Sequence, residues 1–486
     1  MAPARRDDLL VVLAALLPLA LFVAREGRIA GAPGFPLDDA WIHLHFARNL
    51  AEGAGFVYNP GTPVAGSTAP LWTLTLAAGA AVAGASLETA KTLGVACALG
   101  AALLTRRAAL ALGSPPAVAL VAAVALLWSG PMAWGALSGM EVTLAALLVA
   151  AALLAHARDR LEWSAVWAAL AVLARPEALL LVPFLVLARP LSWRRVLTFG
   201  LITLAAVTPM ILFSLWTAGT PYPATAAAKV EGGLLGWLGG VREPLARTLL
   251  LRPWQFLREW VVWLATTHGL LPVLLVPALG LAWARGGRAL GVPALVLLAH
   301  PLGMALLAPY RGPAFQEGRY SIHLLPLALV ALAAMARKTR PWALAAYLAL
   351  ALVPLVPAAA RYAWAVQNIN AMQVHLGRWV ATHLPATSRI AANDIGAIAY
   401  FSRREVIDLM GLVTPGIIPY RREGESGVLR YIAETCPDHV IVFPAWFPRL
   451  AERADLLEPV YRVRLERNEV AGASEMVVFR LRRCAV

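Results

Sequence analysis

Charge is scarce in this chain. Asp, Glu, Lys and Arg make up 14% of its 486 residues, against 60% hydrophobic, and the mean hydropathy is +0.67. A soluble domain does not reach that balance, so most of the chain belongs in lipid. The acidic sign is the scarcer one, 28 residues against 42 basic, and the basic excess sits at the ends of apolar runs. There it reads as orientation, because basic loops stay cytoplasmic. It forms no continuous stripe, which argues against nucleic acid as a partner. Cysteine is nearly absent: Cys97, Cys436 and Cys484 match no metal or redox spacing, and spacing alone leaves a Cys436–Cys484 pairing open. No convincing cleavage site follows the first apolar run, 9–24, so it reads as an anchor. Internal repeats and mid-span ionisable residues, which mark many transporters, are also scarce.

What is present is a regular alternation. Arg5 and Arg6 precede the first run and place the N-terminus in the cytoplasm. Arg106 and Arg107 follow the run 90–104, and Arg158 and Arg160 follow 142–155. Arg189, Arg194 and Arg195 follow a hairpin of 163–174 and 178–188 around Arg175-Pro176-Glu177. Arg285 and Arg288 follow 269–284, and Arg337-Lys338-Thr339-Arg340 follows 320–336. The runs 117–134, 196–218, 290–308 and 342–359 complete a set of about eleven spans, N-terminus in and C-terminus out. The run 70–84 is too short for a full span and is expected to lie at the outer surface or dip into it.

After Arg361 the character changes. Helical signal covers 364–383, β-like runs fall at 389–392, 405–409, 439–443, 460–465 and 476–481, and a helix is predicted at 427–434. The expected fold is an α-helical polytopic membrane protein, residues 1–360, with an extracytoplasmic α/β domain, residues 361–486. The parity places the α/β domain outside the cytoplasm, and the expected location is the inner (plasma) membrane, crossed many times.

Against so little charge, Asp38 and Asp39 stand out at the outer mouth of the first span. Adjacent carboxylates suit acid–base work, since each disfavours ionisation of the other. The plain alternative is that Asp39 N-caps a helix over 40–50 while Asp38 is solvated. Other polar residues fall at outer span ends: His45, Arg48, Glu141, Arg175, Glu177, Lys229 and Arg319. Arg175 has a plain reading as a hairpin tip, Glu141 as a cap and Lys229 as a snorkelling side chain. His43 and His45 are two apart on a helix and point away from each other, so they make no metal pair.

An electrostatic pocket at the membrane boundary fits a substrate with its tail in lipid and a charged head outside. A polyprenyl-phosphate sugar has that shape. Arg175, Lys229 and Arg319 are candidates to hold its phosphate. A carboxylate would take the proton from an acceptor hydroxyl as it attacks the anomeric carbon, inverting it.

The stretch from Pro36 to Trp72 resembles the GT-C superfamily of membrane glycosyltransferases. Within it, the likeness is to the terminal β-(1→2)-arabinofuranosyltransferases and their bacterial relatives. It rests on Asp38-Asp39-Ala40, Arg48-Asn49-Leu50, Gly53, Gly55, Asn59-Pro60-Gly61, Thr68 and Pro70-Leu71-Trp72. Further matches are Ser138-Gly139-Met140-Glu141, Arg175-Pro176-Glu177, Pro221 through Lys229, Gly318-Arg319-Tyr320, and Asn393 through Val413. The resemblance covers nearly the whole chain. It implies a polyprenyl-phosphate sugar donor, a glycan or lipid acceptor outside the cell, and an external Asp as base. That role falls on Asp38, with Asp39 orienting or capping. His45, Arg48, Glu141, Arg175, Glu177, Lys229, Arg319 and Tyr320 are expected around the substrate. Some relatives use a divalent metal and some do not; no metal ligand is assigned. This chain departs from the pattern at His45, Ala65 and Ser67, which leaves the sugar open. The alternative reading is a non-catalytic relative or a lipid-linked sugar translocator.

Overall fold

The computed structural model describes residues 3–229, 231–268, 280, 283–284, 287–336, 339–482 and 484. Two compact units emerge. The first is built from Met1–Ala24, Lys91–Pro209 and Val230–Ala359; the second from Arg25–Ala90, Met210–Lys229 and Ala360–Val486.

Among the described residues, five helices are long and apolar enough to cross a membrane: Arg5–Ile29, Leu87–Ala111, Trp193–Ala218, Gly287–Leu307 and Pro341–His383. A sixth candidate is bent by 57° between Pro116–Leu127 and Gly130–Leu137. The bend falls at Ser129-Gly130-Pro131, where Ser129 caps the second piece by accepting from the Met132 N–H at 3.3 Å. The other predicted runs are shorter helices: Val142–Ala157, Leu161–Ala174, Pro176–Leu187 and Leu325–Met335. Arg175 breaks the hairpin because Pro176 drives the residue before it out of the helical region, here to φ −149° and ψ 118°. The predicted run 269–284, Arg285 and Arg337-Lys338 lie in large part outside the described residues. Pro70–Ala83 forms a short apolar helix of 14 residues, as expected.

The longest isolated span shows its solvent plainly. Trp193 and Trp216, at opposite ends of Trp193–Ala218, are 80% and 71% exposed, with Leu197, Leu201, Leu204 and Leu212 bare between them. Two exposed indoles about a membrane thickness apart match the interfacial aromatic belts. In the first unit, Arg106 pairs with Asp7 at 2.5 Å and Asp8 at 2.9 Å. The N-terminal residues and the Arg106–Arg107 junction therefore lie on one side, as the charge alternation requires.

The second unit carries the sheet. Its strands are β3 (Arg389–Ala392), β4 (Glu405–Asp408), β5 (His439–Val442), β6 (Leu457–Arg464) and β7 (Glu475–Leu481), in the order β4-β3-β5-β7-β6; β1 (Val57–Asn59) and β2 (Thr62–Pro63) form a separate hairpin. β3 runs parallel to β4 and β5, while β7 is antiparallel to both β5 and β6. The helices Gly396–Ser402 and Glu425–Thr435 make the crossovers. All five predicted strands form, within three residues at each end. The parallel strands are apolar without alternation because both faces are covered. Ile390 and Ile441 face one buried cluster, and Ala391 and Val440 face another. Phe46 and Tyr58 join the first cluster, so the early loop region and the C-terminal sheet share one core. Cys436, in the left-handed region at the end of its helix, is bonded to Cys484.

Candidate active site

The second unit holds Asp38 and Asp39. The helix Asp38–Ala51 starts two residues earlier than predicted, with Leu37 at its N-cap and no side-chain cap. The helix start thus differs from the plain expectation of a capping Asp39 and a solvated Asp38. Asp38 is not solvated: it is buried, and its two oxygens accept from the Gly396 N–H at 2.6 Å and the Ala397 N–H at 2.8 Å. Asp39 is not the N-cap residue. That side chain is 32% exposed, and Lys229 Nζ stands 3.9 Å from Oδ2. The sequence motif places two carboxylates side by side, but successive helical residues point 100° apart. One turns into the sheet domain and the other outward.

Local packing fixes this orientation. Gly396 has no Cβ because one there would collide with the Asp38 backbone and carboxylate. Tyr58 Oη donates to Ile395 O at 2.9 Å. Asn59 pairs with Val406 through both amide ends, at 2.8 and 3.0 Å, as a strand neighbour would. Lys229 ends the short helix Ala224–Lys229, which is tied down by Ala224 N–H to Ala65 O at 2.9 Å and by Thr225 Oγ1 to Gly66 O and Leu412 O.

His45 and Arg48, expected around the substrate, are buried in this packing. Arg48 donates to Tyr400 O at 2.7 Å and to His45 Nδ1 at 2.9 Å, while its guanidinium lies over the Tyr400 ring. Since arginine only donates, His45 Nδ1 accepts, and its Nε2–H goes to Tyr58 O at 2.8 Å. Burial and the Arg48 charge hold the imidazole neutral, down to about 3. The two residues join the motif helix to β1 and to the helix Gly396–Ser402.

A third carboxylate escaped the sequence reading. Asp394, two residues past β3, accepts from Gln373 Nε2 at 2.7 Å. Burial, Asp39 and Asp408 push it up to about 6, against the Gln373 hydrogen bond. Burial, then Asp394, raises Asp38 well above the usual carboxylate range, opposed by its two backbone donors and raised further by Asp39. The only hint in the sequence was Asn393-Asp394 directly after a β-run and before a glycine. Among the described residues, no group of three or more His, Cys, Asp or Glu side chains is placed to hold a metal ion. Asp38 has both oxygens on backbone donors.

The first unit holds the other candidates. Arg175 is buried, paired with Glu141 and, at 3.2 Å, with Glu177; its guanidinium lies 4.6 Å from the Tyr320 ring centroid. Glu141 sits at the N-cap position of Val142–Ala157 but makes no side-chain cap. Arg319 donates to Tyr320 Oη at 3.0 Å and lies over the same ring at 5.0 Å. Gln316 and Glu317, both at positive φ, turn the chain just ahead of it. Two arginines and two glutamates cancel in charge, and one tyrosine stacks with both arginines. Sequence spacing could not show that Arg175 is already ion-paired.

A family model described as a domain of unknown function (DUF8728) matches residues 365–479, the sheet domain. No curated protein matches the chain by sequence. Among solved structures, ArnT from Cupriavidus metallidurans bound to undecaprenyl phosphate is similar at a TM-score of 0.57 and 13% identity, over 98% of this chain and 99% of that one. The oligosaccharyltransferase of Archaeoglobus fulgidus, tethered to an acceptor peptide, is similar at 0.55 and 12% identity, over 89% of this chain and 68% of that one. The mycobacterial arabinofuranosyltransferase AftD gives 0.40 at 17% identity, over 97% of this chain and 40% of that one. In its fold, this chain is a mostly helical polytopic membrane protein with a C-terminal sheet domain, similar to ArnT and to the archaeal oligosaccharyltransferase.

Proposed function

We propose that the protein is an inverting glycosyltransferase that moves a sugar from a polyprenyl-phosphate donor to an acceptor outside the cytoplasm. The observation that carries this is Asp39 beside Lys229: an outward carboxylate 3.9 Å from a cation, on a helix whose other carboxylate is tied to the sheet domain. A base for the acceptor hydroxyl and a positive charge for the leaving phosphate are the two kinds of group such a displacement uses. Lys229 holds the donor phosphate. Asp39 takes the proton of the acceptor hydroxyl as its oxygen attacks the anomeric carbon. The new C–O bond forms as the C–O bond to phosphate breaks, and the electron pair leaves on the polyprenyl phosphate beside Lys229. Asp38 positions the helix and does not touch the reacting atoms.

The likeness to a structure holding undecaprenyl phosphate supports the lipid-phosphate class of donor. The Cys436–Cys484 disulfide supports an oxidising compartment for the sheet domain, and with it an outward-facing C-terminus in the plasma membrane. The test uses purified protein in lipid nanodiscs with a panel of synthetic polyprenyl-phosphate pentoses and hexoses and envelope glycan acceptors. Release of polyprenyl phosphate with formation of a glycoside of inverted configuration is expected for one donor. Movement of an intact lipid-linked sugar across a vesicle membrane without transfer would point instead to a translocator.

A further inference from the structure

The chain leaves the neighbouring parallel strands β3 and β5 in opposite directions. From β3 it passes through the helix Gly396–Ser402 to β4, at one edge of the sheet. From β5 it passes through the helix Pro448–Ala451 to β6, at the other edge. Ile398 and Ala399 of the first helix pack in the cluster of Ile390, while Phe447 and Leu450 pack in the cluster of Ala391, on the opposite face. In open α/β sheets, ligands sit in the crevice outside the carboxyl ends of two such strands. Asn393 and Asp394 follow β3 at this end, and 443–447 follow β5. The turn between β6 and β7 reaches the same end, since Val442, which closes β5, pairs with Val477 near the start of β7.

Printed contacts run across this end without a gap. Asn393 Oδ1 accepts from the Phe443 N–H at 3.2 Å, and the Phe443 and Trp446 rings lie 5.3 Å apart. Trp446 Nε1 donates to Gly472 O at 3.0 Å, and a Cβ at Gly472 would collide with both rings. Trp446 is thus held in place and is still 43% exposed. Asp394, half-buried, accepts from Gln373 Nε2 at 2.7 Å. Both amides have hydrogen-bonding capacity left over. Gln373 Oε1 and Asn393 Nδ2 meet no partner among the described residues. Their identities follow from the other ends: a carboxylate accepts, so Gln373 turns its NH₂ to Asp394, and a backbone N–H donates, so Asn393 turns its oxygen to Phe443.

These groups select a class of ligand. The N–H groups of Gly396 and Ala397, which an anion would use, are taken by Asp38, and Asp394 adds a negative charge. A carboxylate and a spare amide oxygen require donors, a spare amide N–H requires an acceptor, and an exposed indole requires an apolar face. A carbohydrate supplies all three, with hydroxyls that donate and accept and a C–H face on its ring. Asp39 is the residue after Asp38 on the motif helix, so a glycan held here lies beside the helix that carries the base.

We propose that the crevice between the carboxyl ends of β3 and β5 is a glycan subsite, in which Asp394 accepts from sugar hydroxyls and Trp446 covers the face of a sugar ring. That the glycan is the acceptor of the transfer rests on the function proposed above; the binding does not.

The test is calorimetric titration of the full-length protein in nanodiscs with lipid-free pentose and hexose tetrasaccharides, alongside the transfer assay and a melting curve for each variant. At least one tetrasaccharide is expected to bind. Trp446→Ala should weaken that binding about 2- to 10-fold, the usual worth of one aromatic contact, and Trp446→Phe should lose less. Asp394→Asn should weaken it about 10-fold or more, because the hydrogen bonds to a charged acceptor are lost. In the transfer assay both variants should raise the acceptor KM and leave the donor KM unchanged, which a general loosening of the fold would not do. Failure of the parent protein to bind any tetrasaccharide, or binding unchanged in either Trp446→Ala or Asp394→Asn, overturns the proposal. If Asp394→Asn does not fold, Trp446→Ala decides alone. A peptide bound in place of the tetrasaccharides and lost in the same variants overturns it as well. Tetrasaccharide binding that falls as expected in a protein with no transfer activity would leave the subsite standing and remove only the reading of Asp39.

Discussion

Asp38 Oδ2 and the backbone N–H of Gly396 lie 358 residues apart in sequence and 2.6 Å apart in a hydrogen bond. That bond, with its neighbour at Ala397, fastens the motif helix to the sheet domain. Asp38→Asn keeps one acceptor oxygen and sets an amide N–H against a backbone donor. The loss should be about 1–3 kcal/mol, read as a lowered Tm of the full-length protein. Gly396→Ala should cost at least as much, because the added Cβ meets backbone. Unchanged melting in both variants would mean that this contact does not hold the unit together.

The buried carboxylates make stability depend on pH in an unusual direction. Asp394 and Asp408 titrate near 6 in the folded protein against an ordinary value of 3.8, raised first by burial. A folded-state value above the unfolded one means that folding favours the protonated form. The stabilisation is complete below about 3.8 and is lost as pH rises through about 6. For Asp408, with no exposed surface, the loss is on the order of 3 kcal/mol. Melting from mildly acidic to neutral pH should therefore show Tm falling with pH. A rise across that window would contradict the assignment.

Arg175 and Arg319 should respond differently to truncation. Removing Arg175 leaves Glu141, with a side chain 3% exposed, without its arginine. Breaking a buried pair from one side costs about 3–5 kcal/mol. Arg175→Met should therefore melt early, and the double variant Arg175→Met/Glu141→Gln should recover much of the loss. Arg319→Ala, which leaves that pair intact, should keep the Tm near the parent value and reduce donor use. Equal melting losses for the two single variants would show that both are structural.

How much of this could be read from the chain itself depends on the length scale of the cause. The five strands of the sheet domain were legible because apolar β-branched runs bounded by turn residues are a local signal. The hairpin at Arg175 was legible because Pro176 acts on its immediate neighbour. The roles of Asp38 and Asp39 were not. The deciding partner of Asp38 is Gly396, and nothing near residue 38 encodes it. Spacing suggested a cap because Asp is a good cap; the tertiary contact overrode that local preference. His45 and Arg48 were expected around the substrate; that their partners in the fold include Tyr58 and Tyr400 is not encoded in spacing. Asp394 stayed hidden because its importance comes from the fold that brings β3 to the motif helix.

Transfer by the Asp39 variants tests the account most directly. With the donor accepted in the panel assay, Asp39→Asn should lower kcat by ~10²–10⁴-fold, the usual worth of a general base, with donor KM little changed. Lys229→Ala should instead raise donor KM, and Lys229→Arg should restore part of it. Asp38→Asn, compared at a temperature where it stays folded, should lose far less than Asp39→Asn. An Asp39→Asn protein with parental turnover, or an Asp38→Asn protein that is folded and dead beside an active Asp39→Asn, would contradict the assignment of the base.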